Sequence, residues 1–195
     1  MTYSLTVSLD GYTTDPDGGL GWGAPDDEVF ALATDEVRGL GVHLLGRRLY
    51  ETMRYWEDAE RNPALDEAER DFAALWNALP KVVFSRTLTT VHGNARLATG
   101  TLAEEIARWR AEPGTGNIGI GGATLAAEAA AADLIDEYRV RVCPVLLGGG
   151  LPYFARQEQR VDLELLETRT FDSGVVFLHH RVVRQPPGKY LTMPS

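Results

Sequence analysis

The stretch that most restricts the fold of this chain is Asn117-Ile118-Gly119-Ile120-Gly121-Gly122-Ala123-Thr124-Leu125, a short apolar strand pattern that passes through paired glycines straight into an alanine-rich helix. A strand that ends in residues without Cβ and opens a helix gathers free N–H groups and a positive dipole end at one point, which suits a phosphate or dinucleotide. The same pattern also serves as a glycine bend that packs helix on sheet, and the segment alone leaves both readings open. It is not the Rossmann fingerprint: reading G-x-G-x-x-G from Gly119 puts Thr124 at the third glycine, and the element lies late in the chain.

The 195 residues suit one domain with a substantial core, expected to span residues 1–195. A formal net charge of −9 argues against a nucleic-acid surface, which needs a basic patch or stripe. Any anionic ligand must then be held locally, and arginine dominates the basic residues, with Lys81 and Lys189 the only lysines. The single cysteine, Cys143, excludes an internal disulfide and any CxxC metal or redox site, and a cytoplasmic location is expected. Thr2 to Leu9 alternates polar with apolar like a strand and lacks the basic start of a signal peptide. No apolar run is long enough to span a membrane.

Strand and helix patterns alternate along the chain. A strand at Tyr3 to Leu9 leads into a loop rich in glycine around Trp22 and Pro25, and Asp26-Asp27-Glu28 then begins a helix to about Arg38. A strand at Val42 to Leu45 meets a helix opening at Gly46-Arg47-Arg48, and Asp66 to Leu79 forms the next helix. Strands follow at Lys81 to Ser85 and Ala95 to Leu97. Thr101-x-x-Glu104 is a capping box that starts a helix carrying Ile106 and Trp109. After the helix at Ala123 to Ala132 come strands at Ile135 to Pro144, Leu163 to Thr170 and Val175 to Val183. This order predicts an α/β fold with a mostly parallel mixed sheet and antiparallel C-terminal strands.

Open α/β sheets bind ligands beyond the carboxyl ends of their strands, so Gly46, Ser85 and Gly121, each ending a strand, should converge on one edge. Arg47 and Arg48 stand at a helix start, where cations oppose the dipole; either they await an anion, or one pairs with Glu51 and the other is solvated. Ser85-Arg86 adds a hydroxyl and a guanidinium. Asp27 either sits in the cleft beside Phe30 and the Trp22 loop, where burial would raise its pKa and let it relay a proton, or only favours the helix dipole with Asp26 and Glu28. The histidines have no metal-ligand spacing, and Ser85 has no partnered histidine in a recognisable triad order. Gly148-Gly149-Gly150 either rims the site or bends the chain before the last hairpin. Trp56, Trp76 and Trp109 read as core, leaving Trp22 in the loop.

Taken in order, these motifs resemble the dihydrofolate reductase-like superfamily, and within it the bacterial proteins similar to the C-terminal reductase domain of the bifunctional riboflavin-biosynthesis deaminase/reductase. Ser8-Leu9-Asp10-Gly11, Leu45-Gly46-Arg47-Arg48-Leu49-Tyr50-Glu51, Ile120-Gly121-Gly122 and Pro144-Val145-Leu146-Leu147-Gly148-Gly149-Gly150 carry the resemblance. It implies a three-layer α/β/α fold with NADPH across the strand ends. Arg47 and Arg48 would meet its phosphates, Ser85 and Arg86 its 2′-phosphate, and Gly121, Gly122, Ala123 and Thr124 its pyrophosphate and nicotinamide side. It also implies a cis Gly121–Gly122 peptide, a substrate site with Trp22, Asp27 and Phe30, Asp27 as the catalytic acid, and a homodimer formed at the antiparallel strands.

Two departures bear on the substrate. The Asp-Asp-Pro segment of riboflavin reductase domains is replaced here by the Gly46 to Glu51 helix start, so the phosphoribosyl substrate is not implied. The deaminase's P-C-x-x-C zinc motif is absent from a chain with one cysteine. The expected activity is hydride transfer from NADPH to a small pterin-like or pyrimidine-like heterocycle, with no metal. The alternative is a non-catalytic NADPH- or nucleotide-binding protein that retains the fold.

Overall fold

A computed structural model of the chain describes residues 1–57, 59, 62–112, 114, 116–154 and 160–184. Its strands are β1 (Thr2–Ser8), β2 (Leu40–Gly46), β3 (Lys81–Phe84), β4 (Ala95–Leu97), β5 (Asn117–Gly121), β6 (Glu137–Cys143), β7 (Leu163–Thr170) and β8 (Val176–Val182). The helices are α1 (Asp27–Arg38), α2 (Arg47–Met53), α3 (Glu67–Ala78), α4 (Leu102–Ala111) and α5 (Ala123–Ala131). One sheet joins all the strands in the order β4-β3-β2-β5-β1-β6-β8-β7. Pairing is parallel from β4 across to β6 and antiparallel where β8 joins β6 and β7. The predicted mixed sheet is therefore present.

Period-two alternation makes β2 a two-sided strand. Val42 and Leu44 point to a core with Val82, Ile118 and Ile120, covered by Leu102 and Ile106 of α4 and Leu125 and Ala126 of α5. Leu45 points the other way, with Val83, into a core closed by Tyr50 of α2 and by Phe72 and Trp76 of α3. Helices on both faces complete the three layers. Trp76 is buried and Trp56 and Trp109 pack against the cores, as their spacing predicts. Among the described residues no helix is long and apolar enough to cross a membrane, and Cys143 is a buried free thiol.

Helix starts separate into two kinds. Asp26 caps α1, Asp66 caps α3 and Thr101 caps α4 through side-chain oxygens, the last two as full capping boxes. Gly46 and Gly122 begin α2 and α5 with no side-chain cap bond. The helices that follow β2 and β5 thus keep backbone N–H groups free at the ligand edge of the sheet.

One buried carboxylate fixes part of that edge. Glu105 of α4 is wholly buried and accepts bonds from the Arg96 guanidinium of β4, from Arg108 and from the Thr99 backbone N–H. Hydrogen bonding to Arg96 pulls its pKa down to about 2, against the opposing cost of burial. Because the folded pKa lies below the unfolded one, this contribution is complete above about pH 4.5 and is lost as pH falls towards 2. We expect Glu105→Gln to destabilise the protein by about 2 kcal/mol at neutral pH, with a smaller difference from wild type in acid. Thermal unfolding of both proteins across that range checks this.

Candidate functional site

Three connected hollows border the sheet: two open at the carboxyl ends of the parallel strands, and the third lies beneath α1 against their amino-terminal and middle parts. The outer lobe, about 530 Å³, is lined by Gly46, Arg47, Arg48, Ser85, Arg86, Gly122, Ala123 and Thr124, which are eight of the nine residues the sequence assigns to a cofactor. Convergence of strand ends accounts for this: β2 delivers Gly46, β3 leads to Ser85, and β5 leads to Gly122. Gly121 is the exception. It is buried in β5, and a Cβ there would come within 2.5 Å of Leu49 Cδ2. Its missing side chain makes room for protein rather than for ligand.

The Gly121–Gly122 peptide is trans, correcting the expected cis bond, since none of the described peptides is cis. Gly122 instead turns the chain with φ +95°, a region that residues with a Cβ rarely adopt. Its carbonyl receives the first bond of α5, from Ala126, so the N–H groups of Ala123 to Leu125 have no partner within the helix.

The lobe's arginines differ. Arg47 Nη1 lies 3.2 Å from Glu51 Oε2, so the carboxylate pairing is the outcome for this residue. Among the described residues Arg48 and Arg86 have no ion-pair partner. Ser85 Oγ accepts from the N–H groups of Thr87 (3.1 Å) and Leu88 (2.9 Å), so the hydroxyl holds a turn and has no histidine beside it. Glu128 also lines the lobe. Two unpaired guanidiniums and a helix start without a side-chain cap fit the phosphates of a nucleotide, so the residues present suit a dinucleotide cofactor.

The middle cleft, about 1070 Å³, shares Arg48, Leu49, Gly122, Ala123 and Leu151 with the outer lobe. Trp22 lines it, with its indole N–H donating to Gly19 O at 3.2 Å. Gly150 and Leu151 line it too, so the second glycine cluster reaches the rim through its last glycine. Gly150 has φ +125°, and a Cβ there would lie 1.9 Å from Thr14 O, a position only glycine fills. Asp10 ties this rim to the end of β1: its carboxylate accepts from Ser8 Oγ, Leu147 N–H and Gly148 N–H, which together hold its pKa below the usual range.

Asp27 and Phe30 lie elsewhere. Asp27 is exposed on the first turn of α1, not buried beside aromatics, while Asp26 takes the capping bond from Val29 N–H at 2.8 Å. Phe30 packs on Phe72 and Trp56, with ring centroids at 5.4 and 5.9 Å, between α1 and α3. Helical phase explains the first displacement. Val29 and Ala33 turn towards the sheet, and at about 100° per residue Asp27 comes out on the far side of the helix.

The carboxylate that α1 does turn inward is Glu36, one of the residues sequence reasoning missed. Its Oε2 accepts from Ser4 Oγ of β1 at 2.8 Å and from Arg141 Nη1 of β6. Arg141 is buried, donates also to Thr6 Oγ1 at 3.3 Å, and lines both the middle cleft and an inner chamber of about 340 Å³ beneath α1. Polar residues recurring every second position, Thr2-Ser4-Thr6 in β1 and Glu137-Arg139-Arg141 in β6, were the available signal. His43 lies across the glycines of β5, edge-on to Trp76 with centroids 5.7 Å apart. No group of three or more His, Cys, Asp or Glu among the described residues is placed to hold a metal.

Compared with known families, residues 1–177 match the RibD C-terminal domain. The chain belongs to the RibD C-terminal domain family. Within reach of that family, the Bacillus subtilis (strain 168) protein YyaP is 31% identical over 172 residues, covering 88% of this chain and 89% of YyaP. A putative riboflavin biosynthesis protein from Shewanella sp. PV-4 superposes with a TM-score of 0.72 at 22% identity, over 94% of this chain and 98% of that one. The Thermotoga maritima diaminohydroxyphosphoribosylaminopyrimidine deaminase/5-amino-6-(5-phosphoribosylamino)uracil reductase matches 93% of this chain but 56% of its own, with a TM-score of 0.64 at 15% identity. The RibD-like, dihydrofolate reductase-like sheet is thus shared, and the outer lobe and middle cleft occupy its strand-end side.

Burial, with a smaller push from the Lys81 charge, holds His43 at a pKa of about 4 in the folded chain, below its ordinary 6.5. The unfolded chain therefore binds a proton that the folded chain refuses, and stability is lost as pH falls from 6.5 to about 4. Replacing the ring by an isosteric amide, His43→Gln, should flatten that part of the curve of unfolding free energy against pH, measured by urea denaturation.

Proposed function

We infer that this RibD C-terminal domain protein is an NADPH-dependent reductase of a small pterin-like or pyrimidine-like heterocycle. The supporting observation is the continuity of the outer lobe with the middle cleft through Arg48, Leu49, Gly122, Ala123 and Leu151. A nucleotide whose phosphates rest at the start of α5 would reach the wide cleft with its other end. The reduced nicotinamide supplies the hydride. The chain's own residues bind and orient: Arg48 and Arg86 meet phosphates, the N–H groups at the start of α5 receive one of them, and Trp22 with the Gly150–Leu151 rim shields the cleft from water.

Exposure of Asp27 changes how the proton would be handled. A carboxyl on the outer face of α1 cannot touch a substrate in the cleft, so proton supply falls to Arg141-held polar groups or to solvent rather than to Asp27. Turnover is then expected in Asp27→Asn at close to the wild-type rate, whereas an acid in contact with substrate contributes roughly 10²–10⁴-fold. The same exposure favours the second reading, a protein that binds the nucleotide without turning it over.

Titration of NADPH against tryptophan fluorescence tests the cofactor. Saturable binding is expected, weakened about tenfold in Arg86→Ala, which removes one charge-assisted contact. An absence of saturation, or unchanged affinity in the variant, sinks the assignment. NADPH oxidation with dihydrofolate, pterins and the riboflavin pyrimidine intermediate then separates the two readings, because a binding protein oxidises none.

A homodimer belongs to the same reading. Edge strand β7 is exposed along its length, with Leu163, Leu165 and Leu166 at 40, 54 and 36% exposure, an apolar edge that soluble proteins usually cover. Light scattering on the wild type should give twice the chain mass, and Leu165→Glu the single mass. A monomeric wild type refutes the dimer.

A further inference from the structure

The inner chamber has a polar character that the nucleotide does not use. Four buried side-chain atoms without a hydrogen-bond partner among the described residues belong to residues that line it: Glu36 Oε1, Arg139 Nε, His43 Nδ1 and Trp76 Nε1. A buried polar group left unpaired costs about 1–3 kcal/mol, and more when charged, so four around one cavity indicate a site that a guest completes. The chamber's 340 Å³ lies at the small end of ligand pockets, and it opens to the middle cleft through Leu5, Leu49, Met53 and Arg141.

The arrangement of these atoms restricts the guest. Glu36 and Arg139 are neighbours, with Oε1 and Nη1 3.8 Å apart, too far for a hydrogen bond. The other oxygen of Glu36 and Nη2 of Arg139 are committed elsewhere. Glu36 Oε2 is taken by Ser4 and Arg141, and Arg139 Nη2 is directed at Glu137 Oε2, which also meets His179 Nε2 at 2.8 Å. The buried atoms that remain unpartnered are one acceptor, Glu36 Oε1, and one donor, the Arg139 Nε–H. Two carboxylates, Glu36 and Glu137, balance two guanidiniums, Arg139 and Arg141, so the set offers no net charge to a carboxylate or phosphate. Apolar walls from Leu40, Leu49, Met53 and Phe72 suit a flat ring.

We propose that the inner chamber is the ring-recognition pocket, in which Glu36 Oε1 accepts the N–H and Arg139 Nε–H donates to the adjacent carbonyl of an uncharged lactam-bearing heterocycle. The far end of the ring then meets Trp76 Nε1–H and His43 Nδ1. His43, held neutral, presents either a lone pair or a proton there according to its tautomer. This extends the reductase reading by naming the edge by which the substrate is held, and it assigns to Glu36 the contact that Asp27 does not make.

Calorimetric titration of pterin, lumazine and a diaminouracil into the NADPH-saturated protein, each beside its analogue methylated at the lactam nitrogen, provides the test. Binding of at least one lactam is expected, weakened about tenfold or more by the methyl group, which removes the N–H in a protein left unaltered. Glu36→Gln, which replaces the charged acceptor by a weaker neutral one, should weaken the unmethylated ring and leave the methylated one unchanged, because both changes act on the same bond. Equal binding of the methylated and unmethylated rings overturns the proposal. So does the absence of binding by every lactam, the result expected if water alone fills the chamber. Nucleotide affinity is scored in the same samples, so a protein that binds NADPH but no lactam fails this inference alone, and one that binds lactams but no NADPH fails the cofactor reading alone.

Discussion

From Gly119 to Gly121 the central strand β5 carries no side chain on the face beneath α1 to α3, and the arrangement of the cleft depends on that. A Cβ on Gly119 would come within 2.7 Å of Leu40, and one on Gly121 within 2.5 Å of Leu49 and 3.0 Å of His43. With hydrogen there instead, side chains from β2 and α2 cross over the strand and lie flat on its backbone. This draws α2 down onto the sheet and sets its glycine start beside that of α5, where a Cβ on Gly122 would stand only 3.6 Å from Gly46. Two helix starts at that separation are what make one lobe out of two loops.

On the neighbouring strands the same face is polar, which a buried face seldom is. Ser4 and Thr6 of β1 and Arg139 and Arg141 of β6 face Glu36 across the gap under α1. An apolar set of equal volume would hold α1 at least as firmly, since burying ion pairs gains little over hydrophobic packing. Stability alone gives these residues little advantage over apolar ones, whereas the proposed recognition of a polar ring would use them. The face divides along the sheet: apolar packing lies under β2 and β3, and hydrogen-bonding capacity lies under β1 and β6.

How much of this the sequence displays depends on whether the information is local. The capping box at Thr101, the strand ends at Gly46 and Ser85 and the glycine turn at Gly122 are short-range patterns, and each appears where it was read. The register of α1 is less legible, because acids stand on both of its faces. Asp27 draws attention because it follows the Trp22 loop, yet the inward stripe set by Val29 and Ala33 passes through Glu36. Phe30 was misplaced because its partners, Phe72 and Trp56, come from elements far along the chain. Arg139 and Arg141 were not legible for the same reason. Alternating charge in β6 looks like a solvent-facing edge until parallel pairing with β1, Ser4 against Arg139 and Thr6 against Arg141, places that face under a helix.

The loop between β1 and α1 has a mechanical character of its own. From Asp15 to Gly23 its hydrogen bonds, among the described residues, close on itself: Asp15 takes the N–H groups of Asp17 and Gly19, Trp22 donates to Gly19, and Gly23 donates to Leu20. The opposite wall is cross-linked between distant parts of the chain through Asp10 and through Thr13 with Leu151. One side of the cleft is thus clamped across the chain by hydrogen bonds, while the other, bonded only to itself, is held to the rest of the protein by packing, with Trp22 seated against the core of Val29, Cys143 and Phe177. The two walls therefore resist a ligand by different means, one through directional bonds and the other through the shape of an apolar seat.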